Sequence, residues 1–375
     1  MNYVIIGASA AGASAAKEIA KNRDESDQIL IFTDETYPFY YRPRLIECLS
    51  GEVEVEDIII NDAEWFAEHD IDLHLSEKIT EIDLENSLIK SAKNSYQYDK
   101  LLFANGSTCF VPPFSGVELD NIFTLKKAAD LKEINAAAQQ AKKVVVVGGG
   151  LLGLEMAYNF NKAGLETTVL EVADYLLPMQ LDEKAGDLLE SKLQKNNIKV
   201  ITGAKTKGFT GKKKVEKVIL ENEEIAADLV LISTGIKCDT CLVEDLDIKT
   251  NKGIVVNEKL ETSFPNVYAA GDLAEYDNQI YGIWPPALEQ GRIAGQVMSG
   301  LESEFTGYVP SHRLKVAGIN VVSIGNLNKD GNYQEKVLLD DDNYVKVIAD
   351  NDQKIGAIIV GQYSEQNKLL AEIKK

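Results

Sequence analysis

The stretch VVVVGGGLLGLEMAYNFNKAG (144–164) decides the fold, because a buried strand, a glycine-rich turn and a helix follow one another in it. In the pattern Gly148-x-Gly150-x-x-Gly153, the first glycine allows a tight turn. The second lets the backbone approach a pyrophosphate, and the third lets the helix pack on the strand. The next apolar strand ends in Glu171, where such units carry an acid for a ribose. These features predict a dinucleotide-binding unit.

The same plan occurs earlier in the chain, in YVIIGASAAGASAAKEIAKN (3–22) and the strand QILIFTDE (28–35). Its turn reads Gly7-x-Ser9-x-x-Gly12, with serine at the middle position. Serine is small and its hydroxyl could reach a phosphate, but its Cβ restricts the approach. Two such units predict an α/β chain with two Rossmann-like dinucleotide-binding domains.

Composition narrows the class of protein. The chain has 375 residues, 45% of them hydrophobic and 26% charged, as in ordinary globular proteins. A formal net charge of −20 argues against a nucleic-acid partner, and the absence of a long apolar run argues against a membrane span. Four cysteines make no disulfide framework, and no cluster has metal-ligand spacing. The opening strand leaves no room for a signal peptide, so we expect a cytoplasmic protein.

Three later segments carry turns suited to a cofactor. The segment TSFPNVYAAGDLAE (262–275) puts Asp272 after a small-residue turn at a strand end, where a carboxylate could accept hydrogen bonds from a polyol. The segments YDKLLFANGS (98–107) and ADLVLISTGI (227–236) are matching apolar strands that end in a small residue, a polar residue and glycine.

With these motifs the chain resembles the FAD-dependent pyridine nucleotide–disulfide oxidoreductase superfamily, from residue 3 to about 325. It is most similar to NADH:rubredoxin oxidoreductases and to the flavin module of NAD(P)H nitrite reductases. The supporting stretches are YYRPRL (40–45), GGGLLGLE (148–155), VYAAGD (267–272), PPALEQGRIAG (285–295) and LKVAGINVVSIG (314–325). The resemblance implies FAD and NADH as cofactors, with hydride passing from NADH to the flavin and electrons then passing to a second acceptor.

The resemblance also implies cofactor-binding positions. Asp34 would bind the adenosine ribose of FAD, Asp272 its ribityl chain, and the helix near Pro286 would direct its positive N-terminus at the flavin. The full implied set is Gly7, Ser9, Ala10, Ala11, Gly12, Thr33, Asp34, Arg42, Pro43, Ile79, Ala104, Asn105, Gly106, Gly148, Gly150, Leu152, Gly153, Glu171, Gly235, Gly271, Asp272, Trp284, Ala287 and Lys315.

One departure affects the implied catalytic residues. Related reductases often carry a lysine shortly after the Arg-Pro pair, and it pairs with the glutamate that is Glu155 here. This chain has Ile46 and Glu47 in that region. Either Arg44 substitutes as the partner of Glu155, or Glu155 has no charged partner. Arg44 and Glu155 are the predicted catalytic pair.

The segment KCDTCL (237–242) has the Cys-x-x-Cys spacing of thiol–disulfide enzymes. In the family the working dithiols lie elsewhere, so Cys238 and Cys241 replace loop residues, and Asp239 between them would raise a thiol pKa. We predict no catalytic role for the pair, with a regulatory disulfide or an adventitious metal site in an exposed loop as the alternative. Cys48 is interpreted as structural.

The predicted domains are an FAD domain made of 1–108 and 235–303, an NAD domain of 109–234, and a small α+β C-terminal domain of 304–375. The segment TCFVPPFSG (108–116) is interpreted as a linker.

Three classes of function remain open for the second half of the reaction. In the first, the electron acceptor is a small carrier protein such as rubredoxin. In the second, it is oxygen or a disulfide, and in the third the chain is a flavin-bound redox-sensing protein without an acceptor. A flavin module of a nitrite reductase system is a further reading, and the oligomeric state stays open.

Overall fold

The structure is a computed structural model that describes residues 1–49 and 51–374. The helices of these residues are α1 (Ala10–Asn22), α2 (Ala63–Glu68), α3 (Ala128–Ala138), α4 (Leu151–Lys162), α5 (Glu183–Lys195), α6 (Trp284–Met298) and α7 (Gln366–Ile373). Two 3₁₀ segments cover Arg42–Leu49 and Val55–Ile58.

In chain order the strands of the described residues are β1 (Asn2–Ile6), β2 (Gln28–Phe32), β3 (Phe39–Tyr40), β4 (Ile59–Asn61), β5 (Ile71–His74), β6 (Ile79–Asp83), β7 (Leu88–Ser91), β8 (Ser95–Gln97), β9 (Lys100–Phe103), β10 (Ser107–Cys109), β11 (Ile122–Phe123), β12 (Lys143–Val147), β13 (Glu166–Leu170), β14 (Ile198–Ile201), β15 (Thr206–Thr210), β16 (Lys217–Leu220), β17 (Glu224–Ala226), β18 (Leu229–Ile232), β19 (Ile236–Cys238), β20 (Ile254–Val256), β21 (Val267–Ala269), β22 (Ala274–Tyr276), β23 (Ser311–Val316), β24 (Ile319–Gly325), β25 (Gln334–Leu339), β26 (Tyr344–Asp350) and β27 (Gln353–Val360).

The first glycine-turn unit belongs to a parallel sheet in the order β21-β9-β1-β2-β5. Its strands are short and apolar because both faces are covered, as in α/β proteins. Helix α1 packs closely on α6, where a Cβ at Gly291 would lie 2.1 Å from the Ala11 carbonyl oxygen. The sheet therefore combines the start of the chain with residues near 270.

The second unit repeats the arrangement in a parallel sheet of order β11-β18-β12-β13-β14. Its central strand β12 is buried from Val144 to Val147. The chain crosses between the two sheets twice, and the two crossings pair as antiparallel strands β10 and β19, with Ser107 opposite Cys238. The predicted linker thus begins in a strand rather than in an open loop.

Small antiparallel sheets accompany each unit, in the orders β6-β7-β8 and β15-β16-β17. The C-terminal residues form a further antiparallel sheet, β23-β24-β27-β26-β25. One face of this sheet packs on α7 and the other joins the core that contains α4 and α5. The predicted fold class, two Rossmann-like units with a small α+β C-terminal part, is confirmed.

A partly buried polar network fastens the C-terminal sheet to the second unit. The Asp182 carboxylate caps α5 by accepting from the Ala185 N–H. It also accepts a 2.6 Å hydrogen bond from the Tyr344 hydroxyl and lies 3.3 Å from the Lys346 ammonium. Lys346 is itself buried and pairs with Glu335 at 2.6 Å.

Among residues 1–49 and 51–374, none of the helices has the length and apolar character of a membrane span.

Candidate functional site

A cleft of about 860 Å³ opens at the carboxyl ends of both parallel sheets, which is the edge where open α/β sheets bind ligands. Its volume lies in the upper part of the range of about 300–1,000 Å³ for small-molecule sites. The cleft brings together most of the predicted cofactor residues: Gly7, Ser9, Ala10, Ala11, Thr33, Asp34, Arg42, Pro43, Ile79, Ala104, Asn105, Gly106, Gly150, Leu152, Gly235, Gly271, Asp272, Trp284 and Ala287.

The first turn enters the cleft at the N-terminus of α1. Gly7 has a φ of +110°, and its N–H donates to the Phe32 carbonyl at 2.7 Å. A Cβ on Gly12 would lie 1.8 Å from the Gly7 carbonyl oxygen, so that position needs glycine. Ser9 is the N-cap of α1 without a side-chain capping bond. The N–H groups of the first helical turn are therefore available to an anion in the cleft.

The second turn is built in the same way, at the N-terminus of α4. A Cβ on Gly153 would lie 2.0 Å from the Gly148 carbonyl oxygen, whereas a Cβ on Gly150 would meet nothing within 4 Å. The space over Gly150 belongs to the cleft and admits the close backbone approach that a pyrophosphate requires. The described residues thus fit two dinucleotides.

Glu171 lies just behind the second turn rather than in the cleft wall. It is 7% exposed, and its two carboxylate oxygens accept hydrogen bonds from the Gly149 N–H at 2.7 Å and the Ala173 N–H at 2.9 Å. The acid therefore stabilises the turn that precedes it and the chain that follows it.

The acids of the first unit are paired with lysines that the sequence analysis missed. Lys127 forms an ion pair with Asp34. Lys126 donates to the Ser107 hydroxyl at 2.7 Å and lies 3.4 Å from the Asp272 carboxylate, which also accepts from Ser107 at 2.7 Å. Both lysines line the cleft. They follow the end of β11 in TLKK (124–127), and two lysines directly after a strand end are the signal that could have drawn attention to them.

Arg42 lies in a second polar network at the cleft wall. Its guanidinium pairs with Glu35 at 2.6 Å, donates to the Lys126 carbonyl and lies 4.9 Å from the centre of the Tyr40 ring. The Tyr40 hydroxyl donates to the other Glu35 oxygen at 2.6 Å. Burial of this hydroxyl, with the nearby Glu35 charge, raises the pKa of Tyr40. Glu35 is a further residue that the sequence analysis missed.

Trp284 begins α6 at the mouth of the cleft, with two prolines behind it. Its ring stacks on Phe39 at a centroid distance of 5.7 Å and meets the edge of Tyr41 at 5.1 Å. On the same helix, Gln290 accepts from the Gly271 N–H at 2.8 Å. The helix therefore fixes the turn that carries Asp272.

The predicted catalytic pair is not formed. Arg44 pairs instead with Glu47, three residues along the same 3₁₀ segment, at 2.7 Å. Burial, with repulsion from Glu47, raises the pKa of Glu155 to about 7. The structure follows the alternative in which Glu155 has no charged partner among the described residues.

Several other predicted residues also lie outside the cleft lining. Lys315 is exposed on β23. Gly12, Gly148 and Gly153 shape the two turns from behind. The predicted residues that do not line the cleft are Gly12, Arg44, Gly148, Gly153, Glu155, Glu171 and Lys315.

The Cys-x-x-Cys segment is close to the cleft, but its thiols are not activated. Cys238 is buried and its thiol donates to the Asp272 carbonyl oxygen at 3.0 Å. Cys241 lines the cleft, and burial together with Asp239 raises the pKa of its thiol to about 11. The two residues are not joined in a disulfide. Cys238 is thus a packed residue, whereas Cys241 is exposed, as the sequence-based alternative of an exposed loop suggested.

No group of three or more His, Cys, Asp or Glu residues in the described chain could hold a metal ion.

Comparisons with known proteins agree with this architecture. Residues 1–291 match the family model of the pyridine nucleotide-disulphide oxidoreductases, and residues 310–375 match the C-terminal domain of rubredoxin NAD+ reductases. The chain is 34% identical to a nitrite reductase [NAD(P)H] of Bacillus subtilis, over 99% of this chain and 47% of that protein. It is 30% identical to an NADH-rubredoxin oxidoreductase of Clostridium acetobutylicum, over 98% of this chain and 92% of that protein.

A solved structure of an NAD-dependent persulfide reductase from A. fulgidus superposes with a TM-score of 0.93 at 27% identity, covering 100% of this chain and 76% of that one. The chain spans about half the length of the first curated relatives it matches, 47% of the nitrite reductase and 49% of an assimilatory nitrate reductase electron transfer subunit of B. subtilis. The resemblance inferred from the motifs is confirmed. The chain belongs to the pyridine nucleotide-disulphide oxidoreductase family of flavoprotein reductases, which work with FAD and NAD(P)H.

Proposed function

We propose that this chain is an NADH-dependent flavoprotein reductase that passes electrons to a small one-electron carrier protein of the rubredoxin type. The choice of acceptor class rests on one observation. Both dinucleotide units open into one cleft, yet no cysteine near this cleft has a lowered thiol pKa. Burial raises the pKa of every cysteine in the chain, Cys48 and Cys241 to about 11, with Cys109 and Cys238 also raised. Since the thiolate is the reactive form, a cysteine relay is disfavoured.

FAD, when bound, takes two electrons as hydride and can release them one at a time, which suits a one-electron partner. The chain's own groups would bind and orient it. The N-terminus of α1 and the Lys126 ammonium would bind its pyrophosphate. Asp34 and Asp272 would accept hydrogen bonds from its hydroxyl groups. The α4 N-terminus over Gly150 would bind the pyrophosphate of NADH.

We infer the domain limits from the same organisation. The FAD domain comprises 1–108 and 235–303, the NAD domain 109–234 and the C-terminal domain 304–375. The pairing of β10 with β19 supports this division, because both chain crossings between the sheets occur there. The four unpaired cysteines suit a reducing compartment, and we propose the cytoplasm.

A second candidate is the flavin module of a nitrite reductase system. It is favoured by the 34% identity to the B. subtilis nitrite reductase, whose chain is about twice as long as the part matched. NADH oxidase or disulfide reductase activity that relies on a cysteine is less well supported, because the raised thiol pKa values offer no reactive cysteine. A redox-sensing role is less well supported because the complete second dinucleotide unit suits turnover with NADH.

The test is an anaerobic reoxidation assay. The FAD-loaded protein is reduced with one equivalent of NADH, and its reoxidation is followed with rubredoxin, ferredoxin, oxygen, nitrite-reductase partner domains or low-molecular-weight disulfides. We expect a one-electron carrier to reoxidise the protein fastest. A disulfide or oxygen that reacts faster than every carrier would contradict the proposal.

A further inference from the structure

In the described chain the C-terminal sheet ends in two outer strands, β23 and β25, whose chemistry differs. On β23 the exposed side chains are those of Arg313 and Lys315, whereas the apolar Leu314 and Val316 are buried. Charged side chains of this kind keep an edge strand from pairing with another chain. The edge of β23 is therefore protected in the usual way.

The opposite edge, β25, presents apolar side chains instead. All six residues of Gln334–Leu339 are exposed, and Val337, Leu338 and Leu339 are 43%, 49% and 58% exposed. The helices that cover the two faces of the sheet, α5 and α7, make their main contacts within it with β24, β26 and β27. Three consecutive large apolar side chains on an open strand edge favour pairing with a further strand.

The hairpin that follows β25 shows which backbone groups of this strand point outward. The Asp340 N–H donates to the Asn343 carbonyl oxygen at 3.0 Å, so these residues form a hydrogen-bonded pair. The ladder between β25 and β26 has a regular register, and hydrogen-bonded pairs alternate along an antiparallel ladder. The backbone groups of Leu338 therefore bond to β26, whereas those of Val337 and Leu339 point away from it at the open edge.

The sequence of this edge, EKVLLD (335–340), is complementary to a second copy of itself. In an antiparallel pair with a twofold axis at Leu338, Val337 of each copy forms a hydrogen-bonded pair with Leu339 of the other. Leu338 then faces Leu338, and Lys336 faces Asp340, in the pairs without hydrogen bonds, where side chains lie closest. An axis one residue to either side would instead place Leu338 opposite Lys336 or Asp340.

The charges along the edge suit the same register. Among the described residues Lys336 makes no ion pair. The Asp340 carboxylate is fixed, because its Oδ1 accepts two backbone N–H groups of the turn at 2.7 and 2.8 Å. Glu335, which would lie opposite Asp341 of the other copy, already pairs with Lys346 at 2.6 Å, so its charge is compensated.

We propose that β25 is a self-association edge, through which two copies of this chain form a twofold dimer. The C-terminal sheets then join into one sheet of ten strands, five from each copy. None of the described residues of β25 lines the cleft, so this contact goes beyond the proposed reductase function and does not depend on it. Two short strands bury less area than the roughly 1,200 Å² of a standard interface, so we expect a Kd of about 1–100 μM.

The experiment is sedimentation velocity of the FAD-loaded protein between about 1 and about 200 μM, a range that spans the expected Kd. We expect the monomer to convert to a dimer as the concentration rises. Leu338→Lys should weaken the dimer at least about tenfold, because it places two ammonium groups together on the axis. Leu301→Lys is the matched control, since Leu301 is 45% exposed but follows α6 outside the sheet. It should associate as the wild type does.

An exchange of charges tests the register. Lys336→Asp and Asp340→Lys should each weaken self-association, because the new residue meets a like charge in the other copy. A mixture of the two variants should form a mixed dimer, since every acid then faces a lysine. A mixture that stays monomeric would overturn the axis at Leu338.

Hydrogen exchange of the wild type provides a measure without a substitution. The amides of Val337 and Leu339 should exchange more slowly at high protein concentration, whereas the Leu338 amide is protected at every concentration. Concentration-independent exchange at Val337 and Leu339 would contradict the edge contact.

A protein that stays monomeric throughout, or a Leu338→Lys variant that associates like the wild type, would overturn the inference. A monomer that binds rubredoxin through this edge, with binding lost in Leu338→Lys, would also overturn it and assign the edge to the carrier. NADH-dependent flavin reduction should be unchanged in Leu338→Lys, which shows that the variant folds. Loss of flavin reduction in the wild type would contradict the proposed function and leave the dimer intact.

Discussion

The two glycine-turn units use the same pattern of strand, turn, helix, strand and acid, but their acids lie in different surroundings. The Asp34 side chain is 39% exposed and pairs with Lys127 from outside its unit. Glu171 is 7% exposed and accepts backbone N–H groups from its own turn. One pattern can therefore build either an open acid balanced by a lysine or a buried acid that stabilises the turn. The distinction cannot be made from spacing alone.

The largest effects should come from the glycines that both turns need equally. We expect Gly12→Ala and Gly153→Ala each to destabilise the protein by about 2–3 kcal/mol, because the added methyl group overlaps a backbone carbonyl oxygen. Urea denaturation of both variants measures this cost. A cost below about 0.5 kcal/mol for either variant would contradict the steric account.

Gly150→Ala is the matched comparison within the second turn. Its methyl group meets open space, so stability should change by less than about 1 kcal/mol. The same methyl group should weaken NADH binding about tenfold or more, because it enters the space of the pyrophosphate. Unchanged NADH affinity would show that the coenzyme does not approach this backbone.

The two acids should differ in stability when neutralised. Glu171→Gln should cost about 2 kcal/mol, because an amide oxygen accepts less strongly and its NH2 group faces buried donors. Asp34→Asn should cost less than about 1 kcal/mol, because exposed ion pairs contribute little. Equal costs in denaturation experiments would remove the contrast between the two units.

The lysines of the first unit should affect cofactor affinity rather than folding. Lys126→Met should raise the Kd for FAD about tenfold, since this ammonium lies at Ser107 and Asp272 in the cleft and a charge-assisted hydrogen bond is worth about 1.5–3 kcal/mol. Lys127→Met should raise it about threefold, because its pair with Asp34 is partly exposed. Recovery of flavin fluorescence on release measures both constants. An unchanged Kd in Lys126→Met would exclude this residue from the FAD site.

The smallest effect should come from the Cys-x-x-Cys segment. Cys238→Ser/Cys241→Ser should retain FAD and reduce a carrier protein within about twofold of the wild-type rate, because neither thiol has a lowered pKa. The serine at 238 can still donate to the Asp272 carbonyl oxygen. A tenfold loss of carrier reduction, with NADH-dependent flavin reduction intact, would show that the pair is a relay.

Local steric rules explain what the sequence could predict. The glycine spacing, the apolar strands and the acids at strand ends led to both units and to most of the cleft lining. Lys126 and Lys127 were missed because their partners are set by packing between distant segments, as for Lys127 and Asp34, which are 93 residues apart. Glu35 was missed although its partners Tyr40 and Arg42 follow it by five and seven residues. Arg44 pairs with Glu47 at the local spacing of three residues. The prediction instead paired Arg44 with Glu155, by analogy with the lysine of related reductases. Burial of Cys238 depends on β19 pairing with β10, which no local pattern predicts.

The central claim is that electrons leave this protein as single electrons to a carrier, without a cysteine relay. The most direct measurement is the stoichiometry of anaerobic turnover with rubredoxin, in the wild type and in Cys238→Ser/Cys241→Ser. The account predicts two rubredoxin molecules reduced per NADH consumed, at nearly the same rate in both proteins. NADH consumption without carrier reduction, together with faster cleavage of an added disulfide that the double variant loses, would contradict it.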